Sequence, residues 1–71
     1  MEYSGKSDSE IVGMLIDEEI EGVRDYDKVA MNAECPILRN LAKQIAIDER
    51  KHVTMLTNWL TDKVHQVITK A

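Results

Sequence analysis

A single proline, Pro36, divides the chain into two stretches that each have the apolar period of an amphipathic helix. Proline lacks an amide donor and disfavours helical angles in the residue before it, yet it fits well at the first position of a helix. Cys35-Pro36 therefore predicts a tight turn at 35–36. Because the chain has two helical stretches and one break between them, it must fold back on itself at that turn.

The first helix is predicted over about residues 8–34. Ser7 and Glu10 have the Ser-x-x-Glu spacing of a capping box, which marks the start of a helix. Apolar or small residues then recur mostly at steps of three or four, and the one gap in this stripe falls on Glu19. The stripe consists of Val12, Leu15, Gly22, Tyr26, Val29 and Ala33.

The second helix is predicted over about residues 37–61 or longer. Its stripe is interrupted by Glu49 and His52, at positions where the helical period calls for an apolar residue. The stripe consists of Leu38, Leu41, Ile45, Val53, Leu56, Trp59 and Leu60, and it is extended by Val64 and Val67. The pattern weakens after residue 61, so the segment 62–71 is expected to continue the helix, to form a short third helix or to fray.

A turn this short makes the two helices, each about 40 Å long, antiparallel neighbours. Two helices cannot enclose a core, and a 71-residue chain whose one cysteine is Cys35 has no internal disulfide to compensate. A second copy of the hairpin would close a four-helix bundle and bury both stripes. The sequence thus predicts an all-α single domain over residues 1–71, an antiparallel two-helix hairpin that dimerises into a four-helix bundle.

Charge and apolar content argue against two classes of partner. The formal net charge of -4 disfavours a surface that follows a phosphate backbone. The apolar runs are far shorter than the ~18 residues needed to cross a bilayer. The first six residues have neither the basic end nor the apolar stretch of a secretory signal. We therefore expect a cytoplasmic protein with no nucleic-acid or membrane partner.

Three charged or polar residues interrupt the apolar stripes: Glu19, Glu49 and His52. A carboxylate in an apolar seam is costly unless it is paired, protonated or bound to a cation. Glu49 and His52 are three residues apart, which places them on one helical face, and Glu19 and Glu49 are almost equally distant from the turn. The three side chains should therefore meet. Each alone has an ordinary reading, a Glu whose carboxylate reaches water or a His satisfied within the core, but together they indicate a metal site.

The donor set of carboxylates and imidazole, without thiolate, favours Fe(II), Mn(II) or Zn(II). Di-iron carboxylate bundles use a Glu on each of two helices and a Glu-x-x-His pair on each of the other two. One chain supplies half of that set, in Glu19, Glu49 and His52. Two chains related by a two-fold axis would supply four carboxylates and two imidazoles, enough for two metal ions.

Residues 8–61 resemble the ferritin and rubrerythrin superfamily, and within it the short encapsulated ferritins. The resemblance rests on Glu19-x6-Tyr26, on Glu49-Arg50-Lys51-His52 thirty residues after Glu19, and on Met55-Leu56-x-x-Trp59. It implies a ferritin-like four-helix bundle built from two chains. It also implies ferroxidase activity, the oxidation of Fe(II) to Fe(III) by dioxygen or, as a second option, peroxide, in iron storage or detoxification.

The resemblance also implies roles for individual residues. Glu19, Glu49 and His52 are the expected ligands of a di-iron site with two iron ions per dimer, and Tyr26 is the tyrosine next to that site. Glu18 and Glu21 are the expected accessory acidic residues that guide iron inward. The expected partners are a second copy of the chain, in a homodimer or a larger ring, and an encapsulating protein shell, which would place the protein inside a nanocompartment.

The chain departs from the encapsulated ferritins at two points. Asp25 stands where they have an aromatic residue, and Val67-Ile68-Thr69-Lys70-Ala71 is not followed by a tail that docks into a shell. Either the given chain is truncated or it belongs to a relative that works without a compartment. The rubrerythrin-like hairpins are the alternative family, although the Cys-x-x-Cys pairs of their electron-transfer domain are absent from this sequence.

Two other functions remain open at this stage. The hairpin could be a non-catalytic oligomerisation module, in which the charges in the seam fix helix register. It could also hold a structural zinc ion without redox turnover. Tyr26 could equally be a tyrosine that packs the bundle, the acidic residues of the first helix could be a solvated face, and His65 is expected at the surface.

Overall fold

The computed structural model is a hairpin of two α-helices, α1 (Asp8–Asn32) and α2 (Pro36–Lys70). The structure describes residues 3–70, and the side chains of residues 3–63. Across residues 3–70 it contains no β-strand, which confirms the predicted all-α hairpin. The helices are antiparallel, because Asp27 of α1 contacts Arg50 whereas the earlier residue Glu19 contacts the later residue His52.

The start of α1 is fixed by the predicted capping box. The amide of Glu10 donates to Ser7 Oγ at 3.2 Å, and the amide of Ser7 donates to Glu10 Oε1 at 3.2 Å. These two bonds satisfy amides that have no partner inside the helix. The Ser7 hydrogen bonds also lower the pKa of Glu10.

The connection between the helices differs from its prediction by one or two residues. The helix α1 ends at Asn32 rather than at residue 34, because Ala33 adopts an extended backbone with φ -65° and ψ 137°. Pro36 is the first residue of α2 rather than the end of the turn, and the amide of Arg39 donates to the carbonyl of Cys35 at 3.0 Å. At its other end α2 runs without a break to Lys70, so the segment 62–70 continues the second helix. The side chains of Val64, His65 and Val67 lie outside the described residues.

The contact between the helices is built on small residues. Among the described side chains, only Ala42 and Ala46 are buried, each 1% exposed. These alanines are one turn apart on α2 and let the two backbones approach closely. Neither alanine was in the predicted apolar stripe, but four residues of that stripe are half-buried along α2: Ile45, Val53, Leu56 and Leu60.

Part of the predicted stripe of α2 is uncovered in the single chain. Leu38, Leu41 and Trp59 are 44%, 54% and 36% exposed. The hairpin measures 54 × 28 × 12 Å, and its smallest dimension is about the diameter of one helix. A layer one helix thick leaves both of its broad faces without a packing partner.

Within residues 3–70, neither helix combines the length and the apolar content that a bilayer span requires. Charges recur along both helices, as at Asp17 and Glu18 in α1 and at Asp48 and Glu49 in α2.

Candidate metal centre

The structure brings together the three residues predicted as ligands. Glu19 extends from the middle of α1, whereas Glu49 and His52 extend from adjacent turns of α2. One ligand atom from each of the three side chains lies within 4.8 Å of the other two. Two carboxylates and an imidazole at this separation can share one cation, with coordination positions left for further ligands.

The contact between His52 and Glu19 is weak. His52 Nδ1 lies 3.4 Å from Glu19 Oε2, beyond the ~2.7–3.2 Å of a well-formed N–H···O hydrogen bond. The His52 side chain is 52% exposed and that of Glu19 is 26% exposed. This contact is loose and His52 is open to solvent. The two side chains would therefore lose little interaction energy if they bound a cation instead of each other.

The two carboxyl groups affect one another more strongly. A hydrogen bond with the Glu19 carboxyl raises the pKa of Glu49, and partial burial and the negative charge of Glu19 act in the same direction. His52 opposes this effect. Without a cation, the neighbouring Glu19 carboxyl therefore disfavours the ionised form of Glu49. A bound cation would offset the repulsion between the two carboxylates, so the electrostatics of the cluster fit a metal ion.

We expect the metal-free protein to lose stability as the pH rises through the pKa of Glu49. In the folded chain this pKa is higher than its ordinary value of 4.5, so the folded state binds more protons than the unfolded state in the window just above that value. The free energy of unfolding therefore falls as the pH rises through this window. Thermal melts of chelator-treated protein at a series of pH values measure the slope.

The control for this experiment is Glu49→Gln, which cannot ionise and should lose the part of the pH slope that belongs to Glu49. Zn(II) affinity should change in the opposite direction, rising with pH over the same window, because the metal must displace the proton. A Glu49→Gln variant that keeps the full parental slope would show that other carboxyls cause it.

An ion pair beside the cluster links the two helices. Arg50 Nη2 donates to Asp27 Oδ2 at 2.7 Å, and both side chains are about half exposed. An exposed pair of this kind contributes only about 0.2–1 kcal/mol to stability. Since Arg50 directly follows Glu49, its attachment to α1 helps to hold that turn of α2 level with Glu19. No pattern in the sequence indicated this pair.

The other predicted site residues lie near the cluster but not in it. Tyr26 is half-buried on α1. Its Cα lies two turns from that of Glu19, which is about 10 Å along the helix. Glu18 and Glu21 are exposed, and neither belongs to the metal-competent group among the described residues. Their guiding role and the role of Tyr26 stay predictions.

An open cleft adjoins the cluster. It has a volume of about 240 Å³ and is lined by Leu15, Glu19, His52, Met55 and Leu56. Its walls are thus mostly apolar, apart from two of the three candidate ligands. Glu19 and His52 are therefore reached from solvent through a mostly apolar cleft.

Gly22 also belongs to this region, although the sequence pattern indicated it only as a small residue of the stripe. A Cβ atom at position 22 would lie 2.8 Å from Glu49 Oε2. The signal that could have indicated its role is its place inside a helix. Glycine there costs about 0.5–1 kcal/mol relative to alanine, so a mid-helix glycine usually has a packing or functional reason.

Fold and site together define a class: a two-helix hairpin whose antiparallel helices carry a carboxylate and histidine cluster beside an uncovered apolar face. Comparisons with protein-family models, curated proteins and solved structures give no match. The function of this chain is therefore argued from the geometry and chemistry of its own residues.

Proposed function

We propose that two copies of this chain form a ferritin-like four-helix bundle that acts as a ferroxidase at a shared di-iron site. Each copy contributes Glu19, Glu49 and His52. The observation that carries the proposal is the convergence of one ligand atom from each of these residues within 4.8 Å. A mass measurement with and without metal, together with an assay of Fe(II) oxidation, tests it.

Charge balance supports two ions per dimer. Two copies of Glu19 and Glu49 supply four carboxylates, whose combined charge matches that of two Fe(II) ions, and the two His52 rings are neutral ligands. Within the cluster of described residues, a single chain offers two carboxylates and one imidazole, which is half of the set that di-iron bundles use. A second copy would supply the other half.

The position of His52 supports the shared site. His52 follows Leu41 by eleven residues and precedes Trp59 by seven, so the three side chains lie on one face of α2. Leu41 is 54% exposed and Trp59 is 36% exposed in the single chain. A second hairpin packed on this face would cover the apolar side chains and bring its own His52 and glutamates to the same surface. Burial of the ligands and assembly of the bundle are thus one event.

Iron enters this scheme as the substrate. Two Fe(II) ions each lose one electron to dioxygen, which takes up two protons to give hydrogen peroxide. Carboxylates favour this direction because anionic ligands stabilise Fe(III) more than Fe(II). The ionised carboxylate of Glu49 would be an oxygen ligand, and His52 would supply a neutral nitrogen ligand.

Three further residues have proposed roles around the site. Tyr26 hydrogen-bonds a ligand or passes an electron, and the exposed carboxylates of Glu18 and Glu21 attract cations to the bundle. The hairpin encloses no volume that could hold a mineral. Iron storage would therefore require a surrounding protein shell as a partner, while the dimer or a larger ring acts as the oxidase.

We expect Fe(II) or Zn(II) to promote assembly, because the ligands of two chains meet only at the interface and metal binding is linked to association by mass action. Sedimentation velocity on chelator-treated protein, with and without one equivalent of Zn(II) per chain, should show the mass shift from one chain toward two or a multiple of two.

The control for this measurement is Mg(II), which prefers oxygen ligands and retains its water, and should leave the mass nearly unchanged. A mass that stays at one chain through saturating Zn(II) contradicts the shared site.

The uncovered apolar face also favours a second candidate function, a non-catalytic helical hairpin that serves as an oligomerisation module. In this case Leu38, Leu41 and Trp59 would drive association with or without metal. Such a module could also hold a structural zinc ion, which would bind without redox turnover. Assembly that is independent of metal, with no oxidation of Fe(II), would favour this candidate over the ferroxidase.

A further inference from the structure

We infer that Gly22 is a positioning residue for the metal centre: its missing side chain leaves the space over α1 through which the Glu49 carboxylate reaches Glu19. The inference deepens the proposed function and rests on it for the identity of the ligands. Of the two helical glycines in α1, Gly13 and Gly22, only Gly22 lies against a candidate ligand.

The distances show how closely Glu49 approaches this glycine. A Cβ at position 22 would lie 2.8 Å from Oε2, 3.2 Å from Cδ and 3.8 Å from Cγ of Glu49, and these are the three nearest heavy atoms. The first distance is shorter than carbon and oxygen atoms tolerate without a bond between them. The side chain of any other residue at position 22 would therefore displace the Glu49 carboxylate.

The displacement would alter the site more than the fold. The clashing atoms are the far end of a flexible side chain, so Glu49 can turn away while both helices stay in place. Metal ligands, in contrast, must be held to within about 0.5 Å of their productive positions. A substitution at Gly22 should thus lower metal affinity while leaving the fold of the hairpin intact.

Gly13 provides a matched control in the same helix. A Cβ at position 13 would have no neighbouring heavy atom within 4 Å. Gly13→Ala and Gly22→Ala make the same chemical change in the same helix and gain the same helical propensity. They differ in whether the new methyl group meets Glu49.

The first experiment measures Zn(II) affinity by titration calorimetry at equal protein concentration. Zn(II) takes the same oxygen and nitrogen ligands as Fe(II) and has no redox chemistry. We expect Gly22→Ala to weaken Zn(II) binding roughly tenfold or more, within the 10- to 100-fold typical of residues that orient metal ligands. Gly13→Ala should leave the affinity within about twofold of the parent.

The second experiment uses thermal melts of chelator-treated protein and needs no metal. Gly13→Ala should raise the melting temperature by roughly 4 to 8 °C, and Gly22→Ala should gain less because Glu49 must move. In a Glu49→Ala background, both glycine substitutions should give the same gain. This non-additivity between positions 22 and 49 is expected only if the two residues compete for one space.

Two results would overturn the inference. One is equal behaviour of Gly13→Ala and Gly22→Ala in both experiments. The other is a smaller gain in melting temperature for Gly22→Ala than for Gly13→Ala that persists in the Glu49→Ala background. That result would assign the effect to a contact other than Glu49, such as one with the second hairpin. A parent protein that binds neither Zn(II) nor Fe(II) would refute the proposed function, while non-additive melts of the metal-free variants would still support the placement of Glu49 by Gly22.

Discussion

Replacement of His52 with alanine should abolish most of the tight iron binding, which we expect at about one ion per chain in the parent because two chains share two ions. His52 is the only imidazole in the cluster of described residues, so the change removes two nitrogen ligands from each dimer. Loss of a residue that merely orients a ligand weakens binding about 10- to 100-fold, and loss of the ligand itself should weaken it by at least ~100-fold. Iron analysis after gel filtration measures the stoichiometry.

The change should affect the metal site and not the fold. The His52 side chain is 52% exposed and its hydrogen-bond approach to Glu19 is a loose 3.4 Å, so truncation leaves little unsatisfied. Chelator-treated His52→Ala should therefore melt within a few degrees of the parent. Lys51→Ala, an exposed change at the neighbouring position, is the matched control and should keep its iron. Two tight irons per isolated single chain would contradict a site shared between copies.

The fold of one chain was largely predictable because its signals are local. The capping box at Ser7 and Glu10 and the break before Pro36 are short-range features, and the structure contains both. The exact ends of the connection were not predictable, because the extended backbone at Ala33 depends on how the reversal is accommodated. Local patterns predict the existence of a helix more reliably than they predict its last residue.

The identity of the buried residues was harder to predict from apolar periodicity. The predicted stripe did not include Ala42 and Ala46, the two residues that are buried against α1. A helix in a bundle has two neighbours, and Leu41 and Trp59 of the stripe are exposed in the single chain. Periodicity locates an apolar face but does not say which neighbour covers it.

The ligands of the candidate site could be predicted from the sequence, but the residues that hold those ligands in place could not. Glu19, Glu49 and His52 stand out because they interrupt apolar stripes, and a hairpin register counted from the turn brings them together. The ion pair between Asp27 and Arg50 has no such signal, since both are ordinary exposed charges in the sequence. The approach of Glu49 to Gly22 depends on interhelical distance, which residue spacing does not contain.

Replacement of Glu49 with leucine should abolish Fe(II) oxidation while leaving the metal-free protein at least as stable as the parent. Glu49 is half-buried in the single chain, and interaction with Glu19 raises its pKa. In the assembled bundle two copies of each glutamate would share one apolar seam, and like charges there oppose folding. Exchange of a buried charge for a well-packed apolar side chain is often neutral or stabilising, so we expect a gain of about 1 to 3 kcal/mol in the metal-free dimer.

The isosteric variant Glu49→Gln separates the two causes of that gain. Glutamine removes the charge without adding apolar contact, so it should recover only the electrostatic part, and it should lose oxidation as leucine does. Chelator-treated melts at fixed protein concentration and an oxygen-consumption assay with Fe(II) give both readouts on all three proteins. In an oligomerisation module that uses Glu49 to fix register, leucine would instead weaken the fold or change the number of chains. A destabilised metal-free leucine variant, or one that oxidises Fe(II) at the parental rate, would therefore remove Glu49 from the proposed ligand set.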